Sequence, residues 1–265
     1  MINLAEFISK LKKILQIIEL NPQSIIKFGS THLNDLKKFS INKCIVSPDF
    51  NYNAISSLIE EKADLLLLFH TWSRPNIIDD LYQKLKFLRD KKVVILEIPK
   101  DFFSVPYGIH ERIGSILNLE MVNVFHFNNQ DSGRIFEPHQ NNLNFNQLLD
   151  IIQTKFNLKY INYVSPYNNI NFPVDKILVY LEDPPTENFI AQCYYQDINT
   201  LICSSIDFFK ARFAEDYNIN ICILPYNWLN IILEQFVTHD LQIEIPEIKS
   251  IFVPSNEPIK FFSSK

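Results

Sequence analysis

An α/β fold built of two related, interleaved lobes is what this sequence predicts, and three observations carry that expectation. Two stretches, "INKCIVSPDFNYNAISSLIEEKADLLLLFH" (Ile41 to His70) and "VDKILVYLEDPPTENFIAQCYYQDINTLICSS" (Val174 to Ser205), each read as strand, loop, helix and strand at similar spacing. Runs such as Leu65 to Leu68 are continuously apolar, the pattern of strands buried on both faces in β-α-β units. At 265 residues and 47% apolar content, the chain can bury a core large enough for one big domain or two lobes.

Taken in order, "MINLAEFISKLKKILQIIEL" places Leu4, Phe7/Ile8, Leu11, Ile14/Leu15 and Ile18 at helical spacing, with Glu6, Lys10, Lys12 and Lys13 among them. This predicts an amphipathic helix packed on the body of the protein, with a membrane-surface helix as the minor alternative, and neither a signal peptide nor a membrane span. The first β-α-β unit follows. Helices are then expected over Ile77 to Lys92 and Gly108 to Glu120, with a strand over Val93 to Pro99 between them. "PHQNNLNF" is a connecting loop. A helix over Asn144 to Leu158 leads to the strand "YINYVS", and the second β-α-β unit comes next. Helices over Ile206 to Tyr217 and Asn227 to Asp240 alternate with strands over Ile219 to Leu224 and Ile248 to Pro254. The expected organisation is a first lobe over 1–130, joined by the closing segment 218–265, and a second lobe over 131–265, with no inserted domain.

Composition removes several function classes. Cys44, Cys193, Cys203 and Cys222 lack a Cys-x-x-Cys spacing and three lie in apolar runs, which reads as small buried residues of a reducing cytoplasm. A net charge of -5 lacks the basic field that nucleic-acid binding needs. The four glycines, Gly29, Gly108, Gly114 and Gly133, form neither a Walker loop nor a dinucleotide fingerprint. The richness in Ile, Asn, Lys and Phe reads as codon bias without function.

The motifs "ADLLLLFH", "SGRIFEP", "DINTLICSSIDFFKARFAEDYNINICILPY" and "IFVPSNEPIKFF" together resemble the Nif-three-like family, cytoplasmic dinuclear-metal proteins also described as GTP cyclohydrolase 1 type 2 homologues. "ADLLLLFH" is similar to the family strand that ends in a His-His pair. "SGRIFEP" followed by a helix, a strand and "PVDKILVYLE" resembles its stretch between halves. "DINTLICSSIDFFKARFAEDYNINICILPY" and "IFVPSNEPIKFF" resemble its second-half and closing elements. The resemblance spans nearly the whole chain and implies a Nif-three-like fold, a toroidal hexamer, and a two-metal site between the lobes.

The ligand positions that the resemblance implies are mostly altered. Phe69 stands at the first histidine of the pair and His70 at the second. Tyr226 stands at a late histidine and Asn230 at its glutamate, so the i, i+4 spacing survives without the ligands. In "EIPKD", Glu97 replaces a histidine and Asp101 is retained. Phe cannot coordinate, and Tyr and Asn are poor partners for a divalent ion. The family's glycine-rich turn is here "LEDPPTE" and its Thr-Gly-Glu is "CSS". His70 reads as a remnant of a metal pair; a single divalent ion held by His70, Asp101 and Glu97 stays open, three N/O ligands being the minimum for an open site.

Other candidates read as structural. His110-Glu111 is a solvated helix face, Asp79-Asp80 and Glu60-Glu61 are solvated helix caps and faces, and Ser204-Ser205 has no local base for a hydrolase triad. Phe69, Trp72, Tyr107, Tyr226 and Trp228 are expected to line the cleft and favour an apolar or stacking ligand. The favoured expectation is a non-catalytic cytoplasmic homo-oligomer, a scaffold or binding module, with no cofactor, no nucleic acid and no membrane, and open to a small-molecule ligand. The alternative is a metal-dependent hydrolase of a nucleotide-like or other small substrate, with a reduced metal site.

Overall fold

The computed structural model describes residues 1–69, 83–88, 91–139, 142–226 and 228–256. Within them the chain forms two units, Met1–Phe102 with the return of the chain from Leu229, and Phe103–Trp228. In the first unit, β1 (Ile2–Asn3) runs into α1 (Leu4–Ile14), whose first turn is held by Asn3: its side-chain oxygen accepts the N–H of Glu6 at 2.9 Å. Leu4, Phe7, Ile8 and Leu11 are buried as expected. The apolar stripe does not reach Ile18, which is 88% exposed, because Gln16 adopts a left-handed φ of 53° and ends the helix first. The short elements α2 (Pro22–Ile25), β2 (Ile26–Phe28), α3 (Leu33–Lys38) and β3 (Ser40–Ile41) were not expected; none is long enough to show a period.

The first β-α-β unit is present as β4 (Lys43–Ser47), α4 (Tyr52–Glu60) and β5 (Leu65–Leu68), with Cys44 opposite Leu65 and Ser47 opposite Leu68 in parallel register. All four leucines of β5 are fully buried. β6 (Val94–Glu97) pairs parallel to β5, and β2 closes that edge antiparallel. Of the helix expected over 77–92, residues 83–86 are helical, and 77–82 and 89–90 lie outside the described residues.

The second unit opens with α5 (Ile109–Ile116) and a hairpin of β7 (Leu119–Phe127) and β8 (Gln130–Pro138). Two consecutive left-handed residues, Asn128 and Asn129 (φ 52° and 61°), make its turn, the backbone that matches strand twist in a two-residue hairpin. After α6 (Phe145–Lys155) and β9 (Asn162–Val164), the second β-α-β unit appears as β10 (Ile177–Tyr180), α7 (Glu187–Tyr195) and β11 (Thr200–Cys203). β10 and β11 are parallel, and α8 (Phe208–Asp216) leads to β12 (Asn220–Ile223), parallel to β11. The sheet order is β7-β8-β10-β11-β12-β9.

The chain then returns through α9 (Trp228–Gln235), which continues as a π-helical stretch over Phe236–Leu241, and β13 (Lys249–Phe252). β13 pairs parallel with β4, completing the first sheet as β13-β4-β5-β6-β2. The expected closing contribution to the first lobe is therefore made from Leu229, whereas the sequence reading began it at 218 and put the other boundary at 130/131. Both differences have packing causes. Segment 103–130 belongs to the second unit because α5 lies tight on β8, where a Cβ on Gly114 would come within 2.1 Å of the Phe136 ring. Segment 219–224 belongs there because β12 takes its parallel ladder from β11.

Candidate functional site

Of the described positions at which the resemblance places a metal ligand, Phe69 and Glu97 sit at strand ends, Asp101 and Tyr226 follow strands, and Asn230 lies on α9. In the first unit β5 runs out into Phe69, whose N–H donates to the carbonyl of Ser47 at 3.2 Å. The Phe69 side chain is 2% exposed and meets Phe102 edge-on at 6.0 Å; Phe102 in turn meets Phe236 at 6.0 Å. This ring is core, not the wall of a ligand site, because an aromatic side chain gains most from full burial among others. His70 and Trp72 lie outside the described residues.

At the end of β6, Glu97 forms a 2.8 Å ion pair with Lys27 of β2, both side chains being mostly buried. Lys27 also donates to the carbonyl of Ser24 at 2.9 Å. A carboxylate beside an ammonium has its charge already met, which removes the main incentive to hold a metal cation. Asp101 sits on the 3-10 turn Lys100–Phe103 and is exposed. Among the described residues no group of three or more His, Cys, Asp or Glu side chains is placed to hold a metal ion.

Asn230, on α9, is engaged in both directions. Its side-chain oxygen accepts the N–H of Ser255 at 2.9 Å and its side-chain nitrogen donates to the Ser255 carbonyl at 2.8 Å. The Ser255 hydroxyl donates to Asp49 at 2.6 Å, Asn51 donates to the other Asp49 oxygen at 2.6 Å, and Asn51 caps α4 by accepting the N–H of Ala54 at 2.8 Å. Four side chains thus pin the exit of β13 to the loop after β4. Each neutral hydrogen bond contributes about 1 kcal/mol and those to the carboxylate roughly twice that.

In the second unit Tyr226 is half-buried and follows β12. Of the aromatics expected to line a cleft with it, Trp228 is 2% exposed against Phe103, with ring centres 6.5 Å apart, and Tyr107 is 69% exposed. The largest departure is at His110-Glu111, read from sequence as a solvated face. His110 is fully buried, and its Nε2 accepts the backbone N–H of Leu181 at 3.1 Å. The ring proton therefore sits on Nδ1, which has no partner among the described residues. Burial, and then the charge of Arg134, push the His110 pKa down to about 3. Glu111 accepts from Arg134 Nε at 2.8 Å, and Arg134, itself 2% exposed, also donates to the carbonyls of Gly133, at 3.1 Å, and Ser104.

Sequence reasoning passed over Arg134 altogether. Its signal was a lone arginine flanked by Ile135 and Phe136 in "SGRIFEP", where a buried guanidinium needs a carboxylate within reach, and Glu111 is the one α5 supplies. Tyr180, at the end of β10, is pushed up to about 12 by burial and then by Asp183 and Glu182. The four cysteines are free and buried, with burial raising each thiol far above its ordinary value, so they are inert packing residues.

No protein-family model matches the sequence, and no curated protein matches it. Solved structures do. A Bacillus cereus protein related to NIF3 superposes with a TM-score of 0.77 at 10% identity, over 98% of this chain and 99% of that one. Staphylococcus aureus protein SA1388 gives 0.76 at 11% identity over the same shares, and reduced HcgD from Methanocaldococcus jannaschii gives 0.74 at 17% identity over 95% and 97%. The chain has the NIF3 fold. At these identities the likeness speaks for the fold alone.

Three of the positions that the resemblance named for metal ligands are engaged in other contacts. Two neighbouring cations need several imidazoles and carboxylates to neutralise them. Here one position holds a core phenylalanine, one an amide with both ends bonded, and one a carboxylate paired to lysine. No helix among the described residues is long and apolar enough to cross a membrane.

Proposed function

We propose that this chain is a divergent Nif-three-like protein whose dinuclear site is largely lost, working in the cytoplasm as a non-catalytic homo-oligomeric scaffold or binding module. The observation that carries the reading is Asn230. A residue in a ligand's place has become the anchor of the C-terminal strand, with its oxygen and nitrogen both bonded to Ser255. Phe69 and Glu97 point the same way, each holding its own part of the first unit together.

Self-association is supported by exposed aromatics on α7 and α8: Tyr195, Phe208 and Phe209 are 76%, 69% and 77% exposed, far more apolar ring than a solvated helix face carries. Static light scattering at micromolar concentration is expected to give a multiple of the 31.2 kDa chain mass, a hexamer being the family's assembly. Incubation with GTP and added zinc, iron or manganese is expected to give no turnover above metal alone. Turnover that scales with protein concentration would make the chain a hydrolase with a reduced metal site.

A further inference from the structure

Four parallel strands of the first unit start along one edge of their sheet, and lysines collect there. Lys43 opens β4, Lys249 opens β13, Lys62 precedes β5, and Lys91 with Lys92 precedes β6. Glu61 answers two of them, Lys43 at 2.9 Å and Lys249 at 3.8 Å. Lys62, Lys91 and Lys92 are exposed and have no side-chain partner among the described residues.

These three lysines rim a concavity of about 160 Å³, lined between them by Leu58, Ile59, Ala63 and Val93. At roughly 30 Å³ per water, that is space for about five waters, enough for a tetrahedral oxyanion. One carboxylate lies in it, Asp64, and one of its oxygens accepts the N–H groups of Asn42 at 2.8 Å and Lys43 at 3.2 Å. Among the described residues three ammoniums against one carboxylate make the concavity positive on a chain whose net charge is -5.

The backbone adds an independent observation. Lys62 follows α4 with a left-handed φ of 51°, and the same position after α5, α6 and α8 is filled by Asn118, Asn157 and Asn218 at φ 55°, 49° and 57°. Gln16 after α1 and Asp197 after α7 hold the same left-handed position at φ 53° and 57°, so the turn is a common helix ending in this chain and fixes where the Lys62 backbone leaves α4.

We propose that this concavity binds the phosphate group of a small soluble molecule. It lies at the amino ends of the first unit's strands, whereas Phe69 and Glu97 lie at their carboxyl ends, and it does not depend on the scaffold reading. The test is calorimetric titration of the full chain with inorganic pyrophosphate at low salt. Saturable binding at one equivalent per chain is expected, weakening at least tenfold in the Lys62→Gln/Lys92→Gln double variant and unchanged in Lys249→Gln. Circular dichroism on all three proteins checks that these exposed changes leave the fold intact. Absence of saturation, or equal affinity in the double variant, overturns the site. Stronger binding to anionic phospholipid vesicles or duplex DNA than to pyrophosphate at equal phosphate concentration overturns the small-molecule assignment.

Discussion

At the carboxyl end of β5 the first unit turns a phenylalanine inward and closes its edge with neutral hydrogen bonds, whereas at the end of β10 the second unit hands the N–H of Leu181 to a buried histidine beside a buried arginine. The two β-α-β units share strand order and parallel register, so topology does not account for the difference. What differs is how charge is held. In the first unit the charged groups near the strand ends, Asp49 and Glu97, remain partly open to solvent, Asp49 held by the Ser255 hydroxyl and the Asn51 amide and Glu97 by Lys27. In the second, Arg134 is enclosed and its stability rests on a complete set of acceptors. Equivalent topologies can therefore carry unequal sensitivity to substitution and to pH.

The strongest way to break this comparison is Arg134→Ala. Removing one partner of a buried, hydrogen-bonded pair leaves Glu111 and two carbonyls without their donor, and about 3–5 kcal/mol of stability should be lost. Urea unfolding checks it. The matching change in the first unit, Asn230→Ala, removes two neutral bonds and should cost only about 1–2 kcal/mol. Equal losses would erase the distinction drawn between the units.

Acid sharpens the same contrast. His110 holds its folded-state pKa near 3, below the ordinary 6.5, so the unfolded chain takes up a proton there before the folded one does. Its neutral burial is without penalty above pH 6.5 and loses ground as pH falls toward 3. Between pH 7 and pH 5 the loss should be about 2 kcal/mol, since each pH unit below 6.5 is worth about 1.4 kcal/mol. Glu61, Asp207 and Glu247 are held below the usual carboxylate range by lysines and so act only at lower pH. His110→Gln should flatten the urea midpoint between pH 7 and 5; an unchanged slope would assign the sensitivity to another group.

A smaller effect on stability is expected at the surface. Phe208→Ser with Phe209→Ser should leave the unfolding midpoint within about 0.5 kcal/mol, because both rings are exposed, and yet lower the mass seen by light scattering. An unchanged mass would place the subunit contact on another face.

Much of the architecture was legible in advance. The two β-α-β units announced themselves through apolar runs of strand length joined by helices, and the last strand through the apolar run from Ile248 to Pro254. The β7–β8 hairpin was missed although Asn128-Asn129 is a strong turn signal, because β7 is mostly exposed and carries no clean apolar alternation. Asparagine richness, dismissed as codon bias, turns out to cap α1, α4 and α6 and to fill left-handed positions after three helices. At the candidate site, the sequence shows which residue types stand at 69, 226 and 230: Phe69, Tyr226 and Asn230. What each residue does there was not legible, since the partners Ser255 and Lys27 lie 25 residues away from Asn230 and 70 from Glu97 in the chain. Long-range pairings leave no periodic trace, and His110 shows the same blindness: its burial depends on Leu181 and Arg134, not on its own helix.

The measurement that bears most directly on the proposed loss of a metal centre is elemental analysis of the full chain purified without chelator. With a core ring at Phe69, a fully bonded amide at Asn230 and a lysine on Glu97, less than one tightly bound transition metal per chain is expected. Two equivalents of zinc, iron or manganese per chain, retained through gel filtration, would contradict it.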